Sequence, residues 1–350
     1  MVQTPLHAHL AARGAVHADD RGVALPLRFG ADPGAEYAAL RAHAAVVDLG
    51  FRTLVRAVGS DRVSFLQGML TNDVASLAAG AGCPALLLTI QGRVTADVRV
   101  AALDDALLLD VDVRARDAFV QALEALVIAD DVELVAPDPP AALIGVEGPD
   151  AAALLGAPAA ALAPFAHVES AVGGVPCRIV RASEVRGPGF VLHAPAADAA
   201  RVWDAVVAAG ARPVGMEAVE GRRVEVGVPR IGRDMDGSTL ALEVPVEDAI
   251  SATKGCYLGQ EVVARATARG HVNRRLTALL IDGPEPLPGA ALVREGREVG
   301  RLTTVARAFG AGAVAALGFV RREHREPGTQ LAVAHGHAVT LARVAALPLA

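Results

Sequence analysis

Lysine is nearly missing from this chain. Of 33 basic residues Lys254 is the only lysine, and the rest are arginine. Tyrosine occurs only at Tyr37 and Tyr257, asparagine only at Asn72 and Asn273, and tryptophan once. The cysteines, Cys83, Cys177 and Cys256, are widely spaced without a CxxC pair. That argues against a disulfide framework or a zinc ribbon and suits a reducing cytoplasm. No apolar run reaches the roughly 18–20 residues of a membrane-crossing helix. The most apolar stretch is interrupted by Gly156, Pro158 and Pro164. A basic region followed by an apolar core and cleavage site is missing from the N-terminus, so no export signal is expected. The net charge of −6, without a basic block, argues against bulk nucleic-acid binding and leaves room only for a local basic pocket. Phosphate-loop, dinucleotide and HExxH patterns are absent, and Asp234 and Asp236 fail the EF-hand spacing, so no metal site is expected.

What is present describes a globular protein of two or three domains, with 350 residues and 53% apolar composition. Residues 1–40, rich in Gly and Pro, read as an irregular lead-in. Strands are expected at 46–49 and 54–58, and Ser60 is placed to cap a helix carrying Val63, Leu66 and Leu70 on one face. Runs at 86–90 and 94–100 flank Gln91-Gly92-Arg93, a hairpin signal. Pro137, Pro139 and Pro140 mark a boundary. Helices are expected over 199–209, with Trp203 inward, and over 216–226. Residues 227–270 read as loop-rich. From Asn273 onward short alternating runs separated by Gly and Pro suggest a small β-barrel.

The scarce residues converge on one window, Lys254-Gly255-Cys256-Tyr257-Leu258-Gly259-Gln260-Glu261. A composition that replaces lysine with arginine should retain lysine where a compact ammonium is needed. Gly255 and Gly259 permit turns and close backbone approach to a ligand. Lys254, two residues from Cys256, could favour a thiolate there, which could act as nucleophile, metal ligand or redox group. Cys83 and Cys177 lie in or beside apolar runs and read as core residues.

The window resembles the signature of the YgfZ family of folate-binding proteins, which supports iron–sulfur cluster assembly or repair and belongs to the superfamily of the glycine cleavage T-protein, an aminomethyltransferase. Phe65-Leu66-Gln67-Gly68 with Thr71-Asn72-Asp73-Val74, Gln91-Gly92-Arg93-Val94 with Asp97, Arg223-Val224-Glu225-Val226-Gly227, and Gly300 with Thr303 and Thr304 resemble further motifs of that group. The resemblance implies an α+β fold of three domains in a T-protein-like ring, with a central folate channel and a C-terminal β-barrel. It divides the chain into a split folate-binding domain (1–53 and 138–235), an inserted domain (54–137), a signature region (236–272) and the barrel (273–350). Cys256, Lys254 and Asp97 become the implied catalytic residues. Asn72, Arg93, Arg223, Glu225, Lys254, Tyr257, Gln260 and Glu261 become the implied contacts to tetrahydrofolate or a derivative.

The implied function is an accessory one for iron–sulfur enzymes, including tRNA-modifying ones, with such enzymes or assembly proteins as partners. No direct nucleic-acid partner and no membrane are expected. The alternative is a tetrahydrofolate-dependent aminomethyltransferase. Two departures from the T-protein pattern favour the accessory reading. Ala96-Asp97 stands where T-proteins have paired aspartates, and Gly187 to Leu192 lacks their acidic residue. Little glycine-cleavage activity is expected as a result.

Overall fold

A computed structural model describes residues 1–335 and 338–349. Its N-terminus is not an irregular lead-in. Strands Val2–Gln3, Val16–Asp20 and Val23–Arg28 form a three-stranded sheet, with helices His7–Ala12 and Pro33–Ala42 beside it. The residues read as breakers punctuate this structure. Pro33 begins a helix whose first turn is capped by the Asp32 side chain, and Gly22 supplies the positive φ of a hairpin turn.

Ala45–Asp48 then enters a six-stranded sheet, next to the strand Ala141–Glu147 that pairs antiparallel with it, Ile144 opposite Asp48. Between these two neighbours the chain makes a separate, wholly antiparallel five-stranded sheet from Arg52–Val58, Gly82–Leu88, Val94–Ala102, Leu107–Asp112 and Glu133–Val135. Helix Arg62–Met69 buries Phe65 and Leu66, and helix Arg116–Glu124 buries Phe119 and Leu123, in the core of this sheet. The first of these helices starts after Asp61 without any side-chain cap, so Ser60 does not cap it; its hydroxyl is bonded to Asp131 instead.

One face of the six-stranded sheet is covered by helix Ala199–Ala208, whose Val202, Trp203 and Val206 recur at helical spacing and are fully buried. The C-terminal strands close into a six-stranded barrel filled by residues such as Leu279, Leu292, Leu302 and Val333. The segment expected to be loop-rich holds a helix, Gln260–Arg269. Three open sheets with their helices and a closed C-terminal barrel thus make up an α+β fold of three domains. Among the described residues no helix is long and apolar enough to cross a membrane.

Candidate functional site

Strand periodicity aims the first wall of the site. On Val94–Ala102, residues Val94, Ala96, Val98 and Val100 enter the core. Thr95, Asp97 and Arg99 therefore face the opposite side. There Asp97 and Arg99 border a cleft of about 340 Å³. Its second wall is the connection bearing Arg181, Ser183, Arg186 and Gly187, and its third is drawn from segment 228–249, including Asp248 and Ala249.

A buried ion network underlies the first wall. Arg52 Nε donates to Asp110 Oδ1 (2.6 Å) and Nη1 to Asp97 Oδ2 (3.1 Å). Asp97 Oδ1 has no hydrogen-bond partner. Arg99 Nη2 lies 2.6 Å from Glu184 Oε1. Burial works against the Glu184 charge, but Arg99, Arg52 and Arg230 overcome it and hold its pKa below the ordinary value. Arg181 and Arg186 differ from these arginines. Arg181 donates to Leu162 O (2.5 Å) and Arg186 to Pro245 O (2.5 Å), and among the described residues neither has a carboxylate within ion-pair distance. Two cations are thus held in place at the cleft without being neutralised.

The signature window sits beside the third wall. Lys254 Nζ donates to three main-chain carbonyls, Gln67 O (2.5 Å), Leu70 O (2.6 Å) and Asn72 O (2.9 Å). Burial pushes its pKa down to about 8, against the pull of Asp73 and Cys83. These contacts do not direct the ammonium at Cys256, the arrangement expected for a thiolate activator. Cys256 is exposed, whereas Cys177 is buried and Cys83 half-buried. Burial pushes the thiols of Cys83 and Cys177 up, to about 12 and about 11. Both stay protonated at neutral pH.

The remaining expected contacts separate into several groups. Asn72 Nδ2 donates to Pro84 O (2.7 Å) and Asp248 O (3.0 Å), joining the first wall to the third. Tyr257 is buried in the core that links the five-stranded sheet to barrel residues Leu276 and Leu317. Gln260 Oε1 accepts from Tyr257 N (3.3 Å) at the start of helix Gln260–Arg269. That start lies against the Gln91-Gly92-Arg93 hairpin tip, since a Cβ on Gly259 would collide with Thr89 O. Glu261 is exposed and pairs along the helix with Arg265, and Arg93 donates to Ser238 O (2.7 Å). Arg223 and Glu225 are buried, and neither borders the cleft. Arg223 is bound to Asp234 and Glu220, while Glu225 accepts from Tyr37 and Gly310 N. Their carboxylate and guanidinium groups are used inside the protein, so they are not placed to touch a ligand there.

Sequence reasoning missed Arg52, Arg99, Arg181 and Arg186. Arg99 carried a signal, lying two residues from Asp97 and so on the same strand face. The others, among so many arginines, carried none.

The family model described as the GCVT N-terminal domain matches residues 6–254, and that of the glycine cleavage T-protein C-terminal barrel domain matches 274–350. An aminomethyltransferase of Saccharopolyspora erythraea is 30% identical over 99% of this chain and 97% of its own length. One of Thermus thermophilus is 30% identical over 87% of each chain. The crystal structure of the glycine cleavage system aminomethyltransferase T from Bartonella henselae superposes with a TM-score of 0.89, at 22% identity, over 99% of this chain and 97% of that one, which shows the shared fold. With both family models matched in order across nearly its whole length, the chain belongs to the glycine cleavage T-protein family.

Proposed function

We propose that this chain binds a reduced folate in the cleft between the two sheets and uses it in one-carbon transfer of the aminomethyltransferase type. The observation that carries this is the composition of the cleft. One carboxylate, Asp97, keeps an oxygen without a partner, while across from it Arg181 and Arg186 hold two unneutralised charges. Tetrahydrofolate has that polarity. Its pterin offers N–H donors to a carboxylate, and its glutamyl tail offers two carboxylates to guanidinium groups. The cleft lies within the usual size range of ligand sites, about 300–1,000 Å³. Relatives named aminomethyltransferase support the transfer chemistry. The third wall brings Asp248, and the 181–187 connection places Glu184 against Arg99, so Asp97 is the acidic side chain of the first wall that a substrate amine would meet.

Titration calorimetry with tetrahydrofolate under reducing conditions should show one saturable site. No binding at millimolar ligand overturns the reading. Replacing Arg181 and Arg186 together by Gln should weaken tetrahydrofolate about tenfold or more, since hydrogen bonds to charged groups contribute about 1.5–3 kcal/mol. A reduced pterin without the tail should bind both proteins alike.

A second reading, YgfZ-type support of iron–sulfur enzymes including tRNA-modifying ones, is favoured by the exposed Cys256 within the Lys-Gly-Cys-Tyr window. Two assays separate the readings. Formation of methylenetetrahydrofolate from an aminomethylated lipoyl carrier belongs to the first. Under the second, that reaction is absent while folate still binds, and Cys256→Ala lowers iron–sulfur enzyme activity in cells lacking the native protein. Stability should change by less than about 0.5 kcal/mol in that variant, because the thiol is at the surface.

A further inference from the structure

We propose that Lys254 is a positioning residue: its ammonium fastens the signature segment to the loop that ends helix Arg62–Met69, and thereby sets the third wall of the cleft. The inference rests on the cleft being a folate site and adds how that site is kept in shape.

Three carbonyls converge on one nitrogen, and they are not ordinary carbonyls. Gln67 lies in the last turn of the helix, Leu70 follows its end, and Asn72 is two residues on. The last carbonyls of a helix have no partner within it and carry the negative end of its dipole. For Gln67 O the ammonium answers both deficits at once, while Asn72 O, beyond the helix, accepts from Val74 N (3.1 Å) as well. Around it, the same loop is stitched to the wall. Thr71 Oγ1 donates to Ala249 O (2.6 Å), Asn72 Nδ2 to Asp248 O, and Ser251 N to Thr71 O (3.0 Å). Ser251 Oγ in turn accepts from Lys254 N (3.1 Å). Asp248 and Ala249 face the cleft, so the wall and the ammonium belong to one hydrogen-bonded unit.

This geometry explains why one lysine survives in an arginine-rich chain. A tetrahedral ammonium sends three N–H bonds to three oxygens from a single point, whereas a guanidinium offers a planar fork and more volume. With all three donors occupied by carbonyls, Lys254 has none left for a folate tail. The charged or titratable groups around it are Asp73 on the loop, Cys83 on the strand and the ring of Tyr257, 5.3 Å away; none of them displaces the carbonyls.

The test compares wild type, Lys254→Arg and Lys254→Ala for binding of tetrahydrofolate and of a reduced pterin lacking the tail. Both variants should lose about tenfold or more in affinity for both ligands by the same factor, as expected for loss of charged hydrogen bonds. Propylammonium should restore binding to Lys254→Ala, and guanidinium should not. A loss confined to the tail-bearing ligand would make Lys254 a tail-binding group and overturn the proposal, as would wild-type binding by Lys254→Arg. Amide hydrogen exchange of the ligand-free proteins decides independently of folate. Residues 70–73 and 245–256 should exchange faster in Lys254→Arg, and unchanged exchange overturns the proposal. Failure of the wild type to bind either ligand, with exchange altered as stated, counts against the folate reading alone.

Discussion

Arg223→Met is expected to lower stability by about 3–5 kcal/mol, the usual result of stripping a buried ion cluster of one partner. Arg223 lies on helix Met216–Val226 and is 1% exposed. Its Nη1 donates to Asp234 Oδ2 (2.5 Å) and Val228 O (2.6 Å), and its Nη2 to Glu220 Oε2 (2.7 Å) and Thr304 Oγ1 (3.1 Å). One guanidinium thus joins the helix, the loop after it and the barrel strand Arg297–Ala308. Asp234 is drawn in further by Thr303 and Thr304, whose hydroxyls donate to its Oδ1 at 2.6 and 2.7 Å. Burial opposes the charge on Glu220, yet Arg223 and Arg230 hold its pKa well below the ordinary range. Without Arg223, both carboxylates stay buried with too little positive charge. The urea midpoint followed by circular dichroism should fall accordingly. Adding Asp234→Asn should recover part of the loss, because it removes one stranded charge. A fall below about 1 kcal/mol would mean that water reaches the cluster and that it does not clamp the barrel.

The Arg223 and Lys254 cases show where a sequence stops being informative. Scarcity marked Lys254 as constrained, but its partners are main-chain carbonyls, which have no residue identity to read. Arg223 was recognisable as part of a motif, and a motif does not distinguish a group that holds a ligand from one that holds the barrel. Alternation located the hairpin around Gln91-Gly92-Arg93 because Val94–Ala102 begins with one buried face, whereas the barrel strand Ala313–Arg321, buried on both faces over 315–320, was marked by its apolar run between glycines. It failed in the N-terminal sheet, whose short strands are divided by the turn and cap residues that also occur in loops. Helix Gln260–Arg269 was hidden for a related reason. It begins after Gly259 in the left-handed region, without a side-chain cap, where no start signal is written. The cleft itself needs residues from Pro84 to Ala249 brought together by an excursion between paired neighbours, and no local pattern encodes that meeting.

Glu147→Gln should flatten the dependence of stability on pH between about 4.5 and 8. Glu147 ends the strand Ala141–Glu147 and is 1% exposed. Burial pushes its pKa from the ordinary 4.5 up to about 8; bonds from Glu184 N (2.8 Å) and Ser183 Oγ (2.7 Å) oppose this, and the Glu184 charge adds to it. Below about 4.5 the carboxyl is protonated in both the folded and unfolded chains, and its raised folded pKa contributes its full stability. Across the window the folded protein keeps a proton that the unfolded chain has lost, so stability falls as pH rises; above about 8 the loss is complete. At about 1.4 kcal/mol per pKa unit, the fall is on the order of 3–5 kcal/mol. Glutamine keeps the shape without a proton to lose, but its amide cannot accept from both Ser183 and Glu184 N, which costs about 1 kcal/mol. The variant should therefore be slightly less stable than wild type near pH 4.5 and clearly more stable at pH 9, the two urea-midpoint curves crossing between. Ser183 lines the folate cleft and Glu184 holds Arg99, so wild-type ionisation strains the wall that carries Arg181 and Arg186. Folate affinity of wild type should then decline toward pH 9 more steeply than that of the variant. Parallel curves in both measurements would mean that Glu147 stays ionised throughout, its charge carried by the Ser183 and Glu184 hydrogen bonds and by Arg99.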